Sequence, residues 1–147
     1  MKGAKTKAIM QINDLNIAMN SIIKLIYSNG LIYRVIGLDN SKPSLECLNG
    51  ENDYEEILYS DLAGIPLTNE WLNALGFEPC SNQYYQSLKV HDELFIIISG
   101  KGAVYFSTHG DHEWGLLEIM TAKHVHQVQN LYSAISGNNL PVALPSE

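Results

Sequence analysis

Short β-rich runs separated by turn residues recur along most of this chain. The clearest pair covers residues 22–27 and 31–38, on either side of Asn29-Gly30. An Asn-Gly step between two such runs favours a tight β-hairpin. Two further runs follow at 44–48 and 54–59. Because closing a small sheet removes its exposed edges, this succession predicts an SH3-like antiparallel β-barrel in the first part of the chain.

The hydrophobic pattern changes near Thr68, where a short helix is predicted. Thr68 is placed to cap the helix, Glu70 lies in its first turn and Gly76 follows its end, which predicts a helix over 69–75. The β-rich runs that come next alternate with turn residues, so they predict an antiparallel meander. These runs cover 84–88, 94–99, 103–108 and 113–121.

A second helix is predicted near the end of the chain, over 123–137. Apolar residues recur there at steps of three and four, and Gly137 stands where a left-handed C-terminal cap is expected. This apolar stripe, which should pack on the meander, consists of Val125, Val128, Leu131, Tyr132 and Ile135. The opposite edge is polar and carries His126, Gln127, Gln129 and Asn130.

Together these elements predict an α+β chain made of two modules. Residues 1–9 are predicted to be a flexible basic leader, and residues 10–66 the SH3-like module. Residues 67–140 would hold the short helix, the meander and the final amphipathic helix that packs on it. Pro141 predicts that the remaining segment, 141–147, is a tail that leaves the fold.

Composition excludes several classes of function. The chain has a formal charge of −7, and three of its nine basic residues lie before residue 8, so the remainder repels a phosphate backbone and general nucleic-acid binding is not expected. Apolar runs are too short to span a membrane, and no secretory h-region follows the early lysines. Two cysteines without metal-ligand spacing predict free thiols. A cytoplasmic protein is expected.

Scarce basic residues are the first candidates for binding a ligand. An anion held in such an acidic chain should need at least two of them. The basic residues in question are Lys24, Arg34, Lys89, Lys101 and Lys123. Polar residues of the final helix complete the predicted ligand-binding set, namely His126, Gln127 and Asn130. No cofactor is predicted.

Histidine-containing segments do not form a recognisable metal site. His109, Asp111 and His112 lie in a glycine turn and lack a fourth ligand, which favours a solvated turn over a metal site. His124 and His126 are two residues apart and would point about 200° away from each other on a helix, so we do not expect them to share a metal. No metal site is therefore predicted.

Other short segments have simple structural interpretations. Cys80-Ser81 has no neighbouring histidine that could activate a nucleophile, and Gly100-Lys101-Gly102 is followed by a strand rather than a helix, which indicates a hairpin turn instead of a phosphate loop. The tyrosines are more suggestive, because amphipathic rings form core contacts, interface anchors or stacking platforms. They stand at Tyr27, Tyr33, Tyr54, Tyr59, Tyr84, Tyr85, Tyr105 and Tyr132.

The final helix resembles a recurring ending of small uncharacterised proteins carried by phages and prophages of the Bacteroides group, K-x-V-H-Q-L-Q-N-L-Y-x-A-L-T-G-x-E-L. Here it runs from Lys123 to Leu140, with Val128 in place of Leu and Asn139 in place of Glu. The stretches 65–77 and 33–39 also resemble that family. The resemblance supplies no catalytic residue, and it implies a protein made during infection or from a mobile element.

Three functional hypotheses remain open. The first is a non-enzymatic, homo-oligomeric phage or prophage protein that acts on the host by sequestering a small, nucleotide-like anionic ligand used in defence. The second is a structural or interaction module that binds another phage or host protein. The third is a metal-dependent hydrolase that uses His109, Asp111 and His112.

Overall fold

The structure is a computed structural model that describes residues 17–26, 30–51, 56–111 and 117–145. The chain divides into two compact units. The first unit comprises Met1–Ile65 and His124–Asn130, and the second comprises Pro66–Lys123 and Leu131–Glu147. The division therefore runs through the final helix, which the sequence placed wholly in the second module.

Two antiparallel sheets and two helices make up the described part of the chain, which confirms the α+β class. The strands and helices are, in chain order, β1 (Ile22–Leu25), β2 (Tyr33–Leu38), β3 (Pro43–Cys47), a 3-10 turn (Tyr59–Asp61), β4 (Leu62–Gly64), α1 (Asn69–Ala74), β5 (Glu78–Pro79), β6 (Tyr85–His91), β7 (Leu94–Ser99), β8 (Ala103–Ser107), β9 (Glu118–Thr121) and α2 (Val125–Ser136).

The first unit contains a four-stranded sheet in the order β3-β2-β1-β4. β1 and β2 pair antiparallel with Ile23 opposite Tyr33, as the predicted hairpin requires, although its turn residues 27–29 lie outside the described residues. Ile23, Tyr33 and Val35 are fully buried and form the core with Ile57 and residues of β4. The apolar runs thus form strands because each can bury one face in this core.

The sheet does not close into a barrel within the described residues, where β3 and β4 are its two edges. The predicted strand over 54–59 is wrong for residues 56–59, while 54–55 lie outside the described residues. The Asp61 side chain accepts a hydrogen bond from Leu58 N–H at 2.8 Å, and Asp61 N–H donates to the Leu58 carbonyl at 2.9 Å. This reciprocal pair closes a 3-10 turn, which ends the extended backbone.

Tyr59 ties this 3-10 turn to the loop between β2 and β3. Its ring is buried, and its hydroxyl donates a hydrogen bond to the Asp39 carbonyl. Burial raises the pKa of Tyr59 above its ordinary value of 10.0, and the nearby Asp39 carboxylate raises it further.

Replacing Tyr59 by Phe is expected to destabilise the protein by about 1 kcal/mol near pH 8, because one hydrogen bond to a partly buried carbonyl is lost. A raised pKa in the folded state favours the neutral hydroxyl, so this part of the stability is present below pH 10 and is lost as the pH rises past it. Urea unfolding of the wild type and of Tyr59→Phe between pH 8 and pH 11 should therefore show that the difference between their free energies of unfolding becomes smaller as the pH rises. A difference that grew with pH would contradict this.

The second unit contains a five-stranded sheet in the order β5-β6-β7-β8-β9, in which every neighbouring pair is antiparallel. The predicted meander is thereby confirmed, with its last run, predicted over 113–121, forming a strand over 118–121, while residues 113–116 lie outside the described residues. Ile96, Ile97 and Ile98 on β7 are all buried, so both faces of this central strand are covered. The two-residue strand β5 was not predicted, because so short a run has no periodicity to detect.

Helix α1 begins and ends as its sequence indicates. The Thr68 hydroxyl accepts a hydrogen bond from Trp71 N–H at 3.2 Å, which confirms the N-cap. At the other end, Gly76 has a φ of 98°, and the N–H groups of Gly76 and Phe77 donate to the carbonyls of Asn73 and Leu72. This Schellman arrangement requires a left-handed residue, which glycine adopts without strain.

Helix α2 also ends at the predicted glycine. Gly137 has a φ of 75° and donates its N–H to the Ser133 carbonyl at 2.9 Å. Of the predicted apolar stripe, Val125 and Val128 are buried, whereas the stripe residues from 131 onward are half-buried. Near the chain end, where a departing tail was predicted, Ala143 N–H donates to the Ala74 carbonyl at 3.3 Å, so this segment lies against the end of α1.

Candidate ligand-binding cleft

A cleft of about 530 Å³ lies within the second unit, and it contains two of the predicted basic residues, Lys101 and Lys123. Its volume lies within the usual range for a small-molecule site. Four segments contribute to its lining: residues 67–69 and 72 at the start of α1, residues 83, 84 and 86 at the start of β6, residues 98–102 at the turn from β7 to β8, and residues 122–123 after β9.

Backbone hydrogen bonds hold three of these segments together. Leu67 N–H donates to the Lys123 carbonyl at 3.0 Å, and Ala122 N–H donates to the Gly102 carbonyl at 2.8 Å. Within the turn, Gly102 N–H donates to the Ser99 carbonyl at 2.9 Å. The two lysines, which are 22 positions apart in the sequence, therefore line the same cleft because the backbone around each is fixed.

Charge in the cleft is opposite in sign to that of the whole chain. Lys101 and Lys123 are both exposed, and no Asp or Glu is among the described residues that line the cleft. The chain as a whole carries a formal charge of −7. The charged residues of the described lining are therefore two lysines, which is a composition that favours an anion.

Gln86 is a buried polar residue of the cleft lining, with 8% of its surface exposed. Among the polar residues of the lining, only Ser99 is more deeply buried. Its Nε2 donates to Oδ1 of Asn69 at 2.9 Å. Its Oε1 is buried and has no hydrogen-bond partner among the described residues. Buried amide oxygens are nearly always satisfied in folded proteins, so an acceptor without a partner among the described residues is an unusual feature of this cleft.

Tyr84 forms an aromatic wall at the margin of the cleft. Its ring is 44% exposed and meets Tyr85 edge to face, with centroids 5.1 Å apart. Tyr85 in turn contacts Tyr105 at 6.4 Å. A Cβ at Gly100 would lie only 2.8 Å from Cε1 of Tyr84, so the missing side chain at that position lets the ring lie against the turn. Tyr84 is therefore held on two sides and presents its remaining surface to solvent.

The side chain of Ser99 shapes the turn that carries Lys101. Its Oγ accepts hydrogen bonds from Lys101 N–H at 3.3 Å and from Ala103 N–H at 3.1 Å. Gly102 completes the turn with a φ of 86°, and a Cβ there would collide with the Ala122 carbonyl oxygen. The predicted hairpin turn at 100–102 is thus confirmed, and it has the additional function of holding β8 close to residue 122.

Replacing Gly102 by Ala is expected to destabilise the protein by about 2 kcal/mol or more, because alanine is strained at this φ and its Cβ meets backbone rather than a movable side chain. Urea unfolding measures the loss. Gly30 offers a matched control: its φ is 84° but nothing lies within 4 Å of a Cβ there, so Gly30→Ala should show the strain without the collision. If the free energy of unfolding fell equally in the two variants, a collision with the Ala122 carbonyl would not explain the loss at Gly102.

Three of the predicted basic residues do not line this cleft. Lys24 lies on β1 and Arg34 on β2, both in the first unit, and Arg34 pairs with Glu46 at 3.6 Å because the two residues face each other on adjacent strands. Lys89 lies on β6 and pairs with Asp92 at 3.2 Å. Of the five basic residues from which at least two were expected to bind an anion, Lys101 and Lys123 are the two that line this cleft.

The predicted helix residues also lie outside the cleft lining. Gln127 accepts a hydrogen bond from His124 N–H at 2.9 Å through its side chain, which caps the start of α2. His126 is 1% exposed, and its ring stacks on that of His124 with centroids 5.7 Å apart. Asn130 is half-buried.

The expectation that His124 and His126 point in opposite directions is wrong. That expectation requires both residues to be helical, but α2 begins at Val125, so His124 has non-helical backbone and its ring can turn towards His126. No group of three or more His, Cys, Asp or Glu side chains among the described residues is arranged to hold a metal.

Gln129 has a structural role that the sequence did not reveal. Its Oε1 accepts a hydrogen bond from Ile22 N–H at 2.8 Å, and its Nε2 donates to the Asn20 carbonyl at 2.8 Å. The side-chain amide thus continues the hydrogen bonding of the sheet within the first unit, where Asn20 has a φ of 70°. Neither hydropathy nor spacing could indicate this, because the partners are more than 100 positions away.

The histidine turn after β8 is held by protein hydrogen bonds. Both carboxylate oxygens of Asp111 accept from Ser81, one from its N–H at 3.1 Å and one from its hydroxyl at 2.6 Å. His109 Nδ1 lies 3.1 Å from the Thr108 hydroxyl oxygen, and His112 lies outside the described residues. Asp111 therefore anchors this turn to the segment before β6.

Neither helix in the part of the chain that the structure describes is long and apolar enough to cross a bilayer. Comparisons with protein-family models, with curated proteins and with solved structures find no match for this chain.

Proposed function

We propose that this protein is a non-enzymatic binding protein that sequesters a small anionic, nucleotide-like ligand in the cleft of the second unit. The observation that carries the proposal is the presence of Lys101 and Lys123 in one cleft whose described lining has no carboxylate, in a chain with a net charge of −7. Two ammonium groups bind a phosphate or carboxylate through charge-assisted hydrogen bonds, which are about twice as strong as neutral ones.

The setting of the two lysines favours a molecule larger than a simple ion. Tyr84 and the apolar side chains of Leu72 and Ile98 also line the cleft. Its volume of about 530 Å³ exceeds what inorganic phosphate needs. A nucleotide has both an anionic group for the lysines and a flat ring for the aromatic wall.

The resemblance of the final helix to phage and prophage proteins motivates the biological part of the proposal. The protein would be made in an infected bacterial cell, act in its cytoplasm as a homo-oligomer and lower the concentration of a ligand on which host defence depends. Sequestration needs tight binding and no chemical step, and the cations and amides of the described lining are suited to binding.

For the first unit we propose an SH3-like arrangement. Support comes from the strand order, in which β4, the last strand, returns to pair with β1, the first. This order leaves β3 and β4 as the edges of a small sheet, and closure of such a sheet removes its exposed edges. Pairing between β3 and β4 would complete the barrel, and amide-exchange protection along the outer edges of both strands would reveal that pairing.

The direct test of the proposed function is to denature protein purified from an expressing bacterial cell and to analyse the released small molecules by mass spectrometry. The apoprotein is then titrated calorimetrically with AMP, GMP, CMP, UMP and inorganic phosphate, and native mass spectrometry gives its assembly state. Saturable binding of a phosphate-bearing molecule would support the proposal. Absence of binding by every probe at millimolar concentration would overturn it.

A second candidate function, a module that binds another phage or host protein, is favoured by β9. Within the described residues this strand is an edge of its sheet, and Leu117, just before it, and Ile119, on it, are 81% and 41% exposed. An exposed apolar edge strand is a template for adding a strand from a partner. Replacing Ile119 by Lys should abolish capture of such a partner and leave nucleotide binding unchanged, whereas unchanged capture would exclude this edge.

A further inference from the structure

We propose that Gln86, together with Asn69, selects the ligand by its uncharged ring: the two amides bind the polar edge of a nucleobase while Lys101 and Lys123 hold the phosphate. The inference rests on the proposed function and goes beyond it, because it assigns specificity to a residue pair that carries no charge. It also excludes ligands that are anions alone.

The buried state of Gln86 is the first argument. A side-chain amide has two donors and two acceptor lone pairs, and Gln86 uses only Nε2, towards Asn69. Its Oε1 is buried without a partner among the described residues, although the side chain belongs to the lining of the cleft. An unsatisfied buried acceptor is unfavourable, so a ligand that supplies an N–H donor relieves a cost already present in the free protein.

Asn69 shows how a ligand reaches that acceptor. Its side chain is exposed and is joined to Gln86 by a single hydrogen bond of 2.9 Å. Rotation of Asn69 would break this bond and free Nε2 of Gln86. Asn69 uses its Oδ1 in this bond, and its side chain makes no other hydrogen bond to a described residue, so its Nδ2 can act as a donor to a ligand. The pair therefore offers a donor and an acceptor, which is the complement of the amino and ring-nitrogen edge of a nucleobase.

Tyr84 supplies the surface on which a flat ring would stack. It lines the same cleft, and contacts with Tyr85 and Gly100 hold its ring in place. Base stacking on a fixed aromatic ring adds affinity for any nucleobase, whereas hydrogen bonding to an amide pair distinguishes among them. Inorganic phosphate or a sugar phosphate would satisfy the lysines and leave Gln86 and Tyr84 without a role.

The test compares mononucleotides with ribose 5-phosphate, which carries the same phosphate and sugar without a base. Calorimetric titration of the wild-type protein should show at least one of AMP, GMP, CMP and UMP binding about tenfold or more tightly than ribose 5-phosphate. In Gln86→Met, which keeps the length of the side chain and removes the amide, this preference should fall about tenfold while the affinity for ribose 5-phosphate stays the same.

A second variant keeps the test decisive if Gln86→Met does not fold. Asn69→Ala changes an exposed side chain and should lower the same preference, again without an effect on ribose 5-phosphate. Equal binding of nucleotides and ribose 5-phosphate by the wild type would overturn this inference and leave the proposed function standing. Failure of every compound to bind would overturn both, and an equal loss for all ligands in Gln86→Met would show a structural rather than a selective role.

Discussion

Replacing both Lys101 and Lys123 by alanine is expected to lower the affinity for the tightest-binding mononucleotide by about a hundredfold or more, with a loss of about tenfold for each single variant. Each lysine provides a charge-assisted hydrogen bond to the phosphate, and the described lining holds no other cation that could replace it. Isothermal titration calorimetry at low salt measures all three variants. Because both side chains are exposed, unfolding curves should change little.

Lys42→Ala is the matched control for this experiment. Lys42 is exposed in the loop before β3 and does not line the cleft, yet its removal changes the net charge by the same amount. Its affinity should equal that of the wild type. Raising the salt concentration should weaken binding in the wild type more than in the double variant, because screening acts on charges that are still present. If Lys42→Ala lowered the nucleotide affinity as much as Lys101→Ala, binding would depend on the net charge of the protein and not on the lysines of the cleft.

Replacing Gln129 by Leu is expected to destabilise the protein by about 2 to 5 kcal/mol. Leucine fills a similar volume but cannot bond to the Ile22 N–H and the Asn20 carbonyl, and Ile22 is fully buried. Each backbone group left without a partner costs about 1 to 3 kcal/mol. Gln129 bonds two backbone groups at once. Among the polar residues of the final helix, we therefore expect its replacement to lower the free energy of unfolding the most.

Urea unfolding measures the global effect of Gln129→Leu, and hydrogen exchange at the Ile22 amide reports on the bond itself. That amide should lose protection more than its neighbour Ile23, whose bonds belong to the strand ladder. Gln83→Leu is the control for stability, because Gln83 is exposed and makes no such bonds. Unchanged protection at Ile22 together with unchanged stability would contradict the role of Gln129.

Local signals in the sequence predicted the elements of the fold well. The caps of α1 and α2, the meander strands and the turn at 100–102 depend on residues within a few positions of each other, and the structure contains all of them. The strand predicted over 56–59 failed because reciprocal bonds between Leu58 and Asp61 favour a 3-10 turn, and a side chain that competes for backbone groups is not visible in hydropathy.

The candidate site could be predicted only in part. The scarcity of basic residues in the sequence indicated Lys101 and Lys123 as candidates. That both line one cleft depends on backbone hydrogen bonds between segments distant in the sequence, which the sequence does not reveal. Gln86 was missed because a glutamine in a β-rich run gives no sign of being buried. Conversely, His126, Gln127 and Asn130 lie on a polar helix edge that suggested a ligand, whereas the structure uses Gln127 to cap the helix and buries His126. Polarity alone does not separate these roles.

The most direct measurement of the central claim is a nuclear magnetic resonance titration of the labelled protein with a mononucleotide, followed through its backbone amides. Saturable shifts confined to residues 67–69, 84–86, 99–102 and 122–123 are expected, because these segments line the cleft. Two results would contradict the assignment of the ligand to this cleft. The first is that the shifts occur near Lys24 and Arg34 and not in the cleft, and the second is that no amide shifts at millimolar nucleotide.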